Sequence, residues 1–282
     1  MNSNKLLIIK SFINENKYKV EIDKNEIKIA PINSVTNSDY CILFTINIDK
    51  INIGPIKKCI DLSGNQIIEL VENIARELNI FKITLDDVSQ LNIINEHENK
   101  CTFDLALISI LTSGMSWYNK LGYRSNNFTN EFEHNSKIIN MTLTDFLNFG
   151  LIKKKKKFTA QFKYSILNGN TEDFPEMNKI KKQILSEYNP NIHLNKREFI
   201  KKYIDGYIIL EHQNIQIEFN EILNLIRENN ITKTVKQFMN DFKQKMRNRH
   251  IICRSDEVKI IFYIINMSSY LIKYSLGLHK NL

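Results

Sequence analysis

Apolar and polar residues alternate in the first third of the chain and recur at helical spacing in the last third. Residues 18–22 and 26–30 alternate around Asp23-Lys24-Asn25, which predicts a hairpin closed by Pro31. Residues 40–48 read as a largely buried strand, and 56–61 as a second, after the turns Asp49-Lys50 and Gly54-Pro55. A helix over 66–78 aligns Ile67, Leu70, Val71, Ile74, Ala75 and Leu78 in one stripe, with Glu69, Glu72, Asn73 and Arg76 opposite. A strand at 81–85 follows.

Residues 103–119 are apolar almost all round, which predicts a helix buried between a sheet and another layer. The stretch Ser116-Trp117-Tyr118-Asn119-Lys120-Leu121-Gly122-Tyr123 closes it and passes to a strand at Tyr123-Arg124. Residues 137–147 should add a strand and a short helix. Beyond them, 175–188, 196–204, 217–227 and 233–249 show 3.6-residue spacing, broken at Asn189-Pro190, Asp205-Gly206 and Asn229-Asn230. A hairpin over 207–217 and a closing helix from Asp256 complete a helical second half.

The pattern is that of an α+β protein: a mixed, mostly antiparallel sheet with packed helices, then a basic, mainly α-helical domain. The expected division is 1–150 and 151–282, and charge follows it. The first part has 15 Lys and Arg against 18 Asp and Glu, the second 24 against 13. The basic half is therefore the candidate for contact with RNA, DNA or an acidic protein partner. Its candidate residues are Lys153, Lys154, Lys155, Lys156 and Lys157, a run that reads as a loop, and Lys236, Lys243, Lys245, Arg247 and Arg249 on one helix.

Cys41, Cys59, Cys101 and Cys253 are far apart and have no metal-ligand spacing, so they read as reduced, mostly buried thiols of an intracellular protein. The histidines form no metal set, and no metal is expected. The first ten residues hold a four-residue apolar run, so no secretory signal is expected. Residues 258–278 are apolar but carry Lys259, Asn266, Ser268, Ser269 and Lys273, which favours a buried helix over a membrane anchor.

Tyr118-Asn119-Lys120-Leu121-Gly122-Tyr123, after a short helix, resembles the late helix-to-strand turn of the GNAT acyltransferase superfamily. The order of strand, glycine turn at Leu62-Ser63-Gly64-Asn65-Gln66, helix and strand is similar to that family's acyl-CoA-binding core. The run 56–124 also looks like GNAT-like proteins of large DNA viruses. The resemblance implies N-acetyl transfer from acetyl-CoA to an acceptor amine. It places the cofactor pyrophosphate at Ser63, Gly64, Asn65 and Gln66, and makes Tyr118 the acid that protonates the leaving thiolate. It also implies work inside an infected cell, in cytoplasm or virus factory, or carriage in the particle.

The family's glycine loop is matched only at Gly64. Gln66 stands where a second small residue belongs, and no Lys or Arg precedes the turn at the expected place. An inactive GNAT-like protein that binds nucleic acid or a protein through its basic half is the other reading. Tyr118 is then a core tyrosine. Asp61, a candidate base at the end of the predicted 56–61 strand, is otherwise a turn or capping residue.

Overall fold

The computed structural model describes residues 3–34, 39–57, 59, 61–94, 100–168, 182–183, 186–190, 192, 195–248 and 251–282. It is an α+β protein with a mixed, mostly antiparallel six-stranded sheet and a helical C-terminal region. After helix α1 (Ser3–Ser11) come β1 (Tyr18–Asp23), β2 (Glu26–Pro31), β3 (Ile42–Ile46) and β4 (Ile51–Ile56), each antiparallel to the last. Lys24 takes the left-handed conformation in the first hairpin turn, φ 55°. Helix α2 (Gly64–Glu77) then carries the chain to β5 (Lys82–Asp86), which pairs parallel with β4 over Ile51–Ile83, Asn52–Thr84 and Ile53–Leu85.

The sixth strand comes from the far end of the sequence. β8 (Gly277–Asn281) pairs antiparallel with β5, giving the order β1-β2-β3-β4-β5-β8. Ile27, Ile29, Phe44, Ile51, Ile53, Ile83 and Leu85 bury one face of the sheet with Ile9 of α1 and Ile67, Val71, Ile74 and Ala75 of α2. The register continues a polar row on the other face, Thr45–Asn52–Thr84–His279, all half-buried. A shallow cavity of about 390 Å³ opens there, edged by Lys82, Asp86 and Asn126.

A small hairpin, β6 (Gln90–Ile94) and β7 (Lys100–Asp104), leads into α3 (Leu105–Ser113) and the single turn α4 (Trp117–Lys120). The helical region holds α5 (Phe128–Ile139), α6 (Leu143–Asn168), α7 (Lys196–Glu228), α8 (Val235–Arg247) and α9 (Asp256–Leu271). Its core joins Phe103 and Leu111 to Phe146, Leu147, Leu151, Phe219, Met239, Phe242, Ile261 and Ile264. The boundary expected near residue 150 falls inside α6.

Several expectations are corrected. The second strand ends at Ile56, where the predicted 56–61 strand was to begin, and its pairing passes through Gly54-Pro55. The helix expected over 103–119 is interrupted. Gly114, at φ 82°, caps α3 in the left-handed conformation that favours glycine, and a Cβ there would meet Ser136 and Phe132 at 3.0–3.3 Å. Tyr123-Arg124 makes one bridge, Arg124–His279, instead of a strand. The strand expected at 137 is the end of α5, and the hairpin at 207–217 is continuous α7, because Asp205-Gly206 is tolerated mid-helix. Most of the helix expected over 175–188 lies outside the described residues.

The thiols are not reduced. Cys41 joins Cys59 and Cys101 joins Cys253 in disulfides with Cα separations of 5.3 and 5.7 Å. No helix among the described residues is long and apolar enough to cross a membrane.

Candidate ligand site at the first turn of helix α2

Ser63 caps α2. Its hydroxyl accepts from the Gln66 N–H at 3.3 Å, and the Gln66 side chain accepts from the Ser63 N–H at 2.8 Å, a reciprocal capping box. Gln66, which stands where the family's loop has a second small residue, is thereby folded back over the cap. The N–H groups of Gly64 and Asn65 stand in the first turn, where no intrahelical acceptor exists. They face the positive end of the helix dipole.

A cavity of about 580 Å³ opens at this turn, lined by Ile56, Lys57, Cys59, Asp61, Leu62, Ser63 and Gly64. Lys57, absent from the sequence-based site, stacks its ammonium 4.2 Å from the Tyr40 ring centroid. Asp61 does not end a strand. It is an exposed rim residue whose carboxylate accepts from Lys17 at 2.8 Å, a pairing that raises the Lys17 ammonium above its ordinary value.

Gly64 connects this cavity to the Tyr118 stretch. A Cβ at residue 64 would stand 3.0 Å from the Trp117 ring, so the helix start packs closely on α4 across the missing side chain. The rings of Trp117 and Tyr118 lie 4.7 Å apart. Ser116 caps α4, with Asn119 completing a second capping box.

Tyr118 is buried, and burial first and the Asp87 charge second push its hydroxyl up to about 12. The neighbouring Ser89 hydroxyl works weakly in the opposite direction. Ser89 in turn donates to Asp87 Oδ1 at 2.8 Å. Asp87 sits one residue past β5 with 3% exposure, its N–H held by the Leu276 carbonyl at 3.0 Å. Its Oδ2 is buried and has no hydrogen-bond partner among the described residues. Burial, and then the charge of Asp87, also raise the Asp104 carboxyl; burial, then Asp104 and Asp87, raise the Tyr274 hydroxyl.

The sequence reading missed Asp87 and Ser89. The only signal was two consecutive aspartates ending a predicted strand, and alternation alone does not say which one turns inward. Glu72, assigned to the polar stripe, is also buried; it accepts from Lys280 at 2.7 Å and from the Tyr123 hydroxyl at 3.2 Å.

The lysine run is not a loop. Lys153–Lys157 occupy mid-α6 and splay around it at 100° per residue. Lys154 pairs with Glu218 at 3.1 Å and Lys155 donates to Gln216 at 2.8 Å, while Lys153, Lys156 and Lys157 are exposed. These contacts, with Thr159–His212 and Lys163–Asp205, run α6 and α7 antiparallel. On α8, Lys236 is exposed and Lys245 pairs with Glu257 at 2.8 Å. Arg249 lies outside the described residues.

Lys243 and Arg247 share a different arrangement with Lys120 of α4. Partial burial first, then the charges of Lys120 and Arg247, lower the Lys243 ammonium, and partial burial and Arg247 lower that of Lys120. Among the described residues none of the three has a carboxylate within salt-bridge distance, although Asn240 ties α8 to α3 through the Thr112 carbonyl at 3.4 Å.

No protein-family model, curated protein or solved structure matches the chain. Among the described residues no group of three or more His, Cys, Asp or Glu is placed to hold a metal ion.

Proposed function

We propose that the protein is a GNAT-like N-acyltransferase that takes its acyl group from acetyl-CoA at the first turn of α2. One observation carries this reading. The parallel pair β4–β5 is bridged by α2, whose first turn lines a cavity at Gly64, while Trp117 packs against Gly64 and on Tyr118, which lies within the field of the buried Asp87. A mostly antiparallel sheet entered later by a helix and a parallel strand is also what the resemblance requires.

The site fits an anionic ligand in part: the Gly64 and Asn65 N–H groups and Lys57 supply donors, and Asp61 is offset by Lys17. Acetyl-CoA, when bound, supplies an acyl thioester. The residues then divide the proton work. Asp87 Oδ2, an acceptor with no partner, takes the proton from an attacking amine. Tyr118, held protonated across the neutral range, delivers one at the sulfur position. Amine plus thioester thus gives amide plus thiol with protons balanced. General acid–base help of this kind contributes about 10²- to 10⁴-fold.

Calorimetric titration with acetyl-CoA tests the reading. Binding is expected, weakened at least about tenfold by Asn65→Glu, which adds a carboxylate to the exposed first turn. Absence of heat with the unaltered protein would overturn it.

The basic half supports a second reading, binding of RNA, DNA or an acidic protein. The specific observation is the unpaired trio Lys120, Lys243 and Arg247, whose mutual repulsion an anion would relieve. Salt-dependent binding of a nucleic acid, lost with the trio, distinguishes it.

A further inference from the structure

We propose that the protein works fully oxidised, both disulfides being formed by exchange with an oxidising disulfide carrier, so that it matures in contact with an oxidising thiol pathway. The inference is independent of the acyl-transfer reading.

Four cysteines scattered over more than two hundred residues allow three complete pairings. The fold brings all four into two pairs and leaves no cysteine free. The Cα separations, 5.3 and 5.7 Å, lie in the middle of the range a disulfide accepts. Each pair also serves a different core. Cys41 and Cys59 are buried among the residues that join the sheet to α2. Cys101 is buried in the helical core, and Cys253 packs against that core from the loop between α8 and α9. The second bond therefore fastens the β6–β7 hairpin to a segment 152 residues later in sequence.

Placement in two separate cores, with complete pairing, is what a disulfide framework requires and what four independent buried thiols do not. Such frameworks persist where thiols are oxidised and are rare where glutathione and thioredoxin keep them reduced. The chemistry is ordinary exchange. One cysteine thiolate attacks the carrier's disulfide and forms a mixed disulfide, and the partner thiolate displaces the carrier. Each bond formed removes two protons and two electrons from the chain and leaves the carrier as a dithiol.

The test uses full-length protein taken from the cells that naturally produce it, quenched in acid and denatured. N-ethylmaleimide is applied without reductant, and iodoacetamide after reduction. Mass spectrometry should find no N-ethylmaleimide and four carbamidomethyl groups, and unreduced digests should hold peptides joining Cys41 to Cys59 and Cys101 to Cys253. N-ethylmaleimide on any cysteine in most molecules, or a different pairing, overturns the proposal. A recombinant chain refolded in glutathione buffers gives a second check. The same two pairs should form and its thermal midpoint should fall on adding dithiothreitol; an unchanged midpoint with all four thiols free would overturn it.

Discussion

Trp117 lies so close to Gly64 that a β-carbon at residue 64 would stand 3.0 Å from its ring. The first turn of α2 and the α4 turn therefore pack against each other at a residue with no side chain to hold them apart.

This contact sets the sign of a substitution. Alanine is worth about 1 kcal/mol over glycine inside an exposed helix, yet Gly64→Ala should destabilise by about 1 kcal/mol, because overpacking costs 1–3 kcal/mol. In a Trp117→Leu background the same change should become neutral or stabilising. A double-mutant cycle from urea unfolding measures the difference. Additive effects would show that the ring yields without cost.

Tyr118 and Asp87 can be read by alkaline titration. Folded Tyr118 keeps a proton that an unfolded tyrosine releases near 10, its own value being raised to about 12. The unfolded state then binds fewer protons, so stability falls as pH rises from 10 to 12, by about 2–3 kcal/mol from this group. Tyr123 and Tyr263, also raised by burial, act in the same direction. Asp87→Asn removes a negative charge that raises both Tyr118 and Tyr274, so tyrosinate absorbance should show two tyrosines titrating at lower pH. An unchanged titration would separate Asp87 from Tyr118.

If the chain transfers acyl groups, Tyr118→Phe should slow transfer by about 10²-fold while calorimetric acetyl-CoA binding is preserved. The pH–rate profile of the unaltered protein should show no alkaline limb from Tyr118 below about 11, since its hydroxyl stays protonated there. Equal rates for the two proteins would remove the acid role.

Lys243→Met should raise the thermal midpoint by about 1–2 °C at low salt, with the gain fading at high salt, because the lysine is repelled by Lys120 and Arg247 and only partly shielded from water. The same variant should weaken binding of a nucleic acid and flatten its salt dependence. Calorimetry and a salt series check the two effects; a lower midpoint would mean that Lys243 is held by attraction.

Removing Cys101–Cys253 with Cys101→Ser and Cys253→Ser should cost about 5 kcal/mol on the loop-entropy scale, and removing Cys41–Cys59 about 3 kcal/mol. Denaturant midpoints of oxidised proteins measure both. The order should reverse if residual structure in the unfolded chain already shortens the longer loop.

Much of the fold was legible in residue spacing. The first hairpin, α2, β5, α8 and the start of α9 follow from alternation, 3.6-residue stripes and caps. Failures cluster where a long-range contact overrides a local signal. Asp205-Gly206 resembles a break, but α7 continues through it against α6. The lysine run resembles a loop, yet helix α6 carries it, paired in part with α7. The disulfides were hidden because pairing depends on the tertiary path, and the inward turn of Asp87 because β5 pairs with a strand from the far end of the sequence, Gly277–Asn281.

That strand, β8, has a consequence for how the molecule is made. β5 has β4 on one side as soon as residue 86 leaves the ribosome, but its other edge stays open until residues 277–281 arrive. Throughout synthesis of the helical region the sheet presents unpaired backbone donors and acceptors, the kind of edge on which chains join one another. Completion is thus a late, non-local event, and the nascent chain depends on the helices folding fast enough to deliver its last strand.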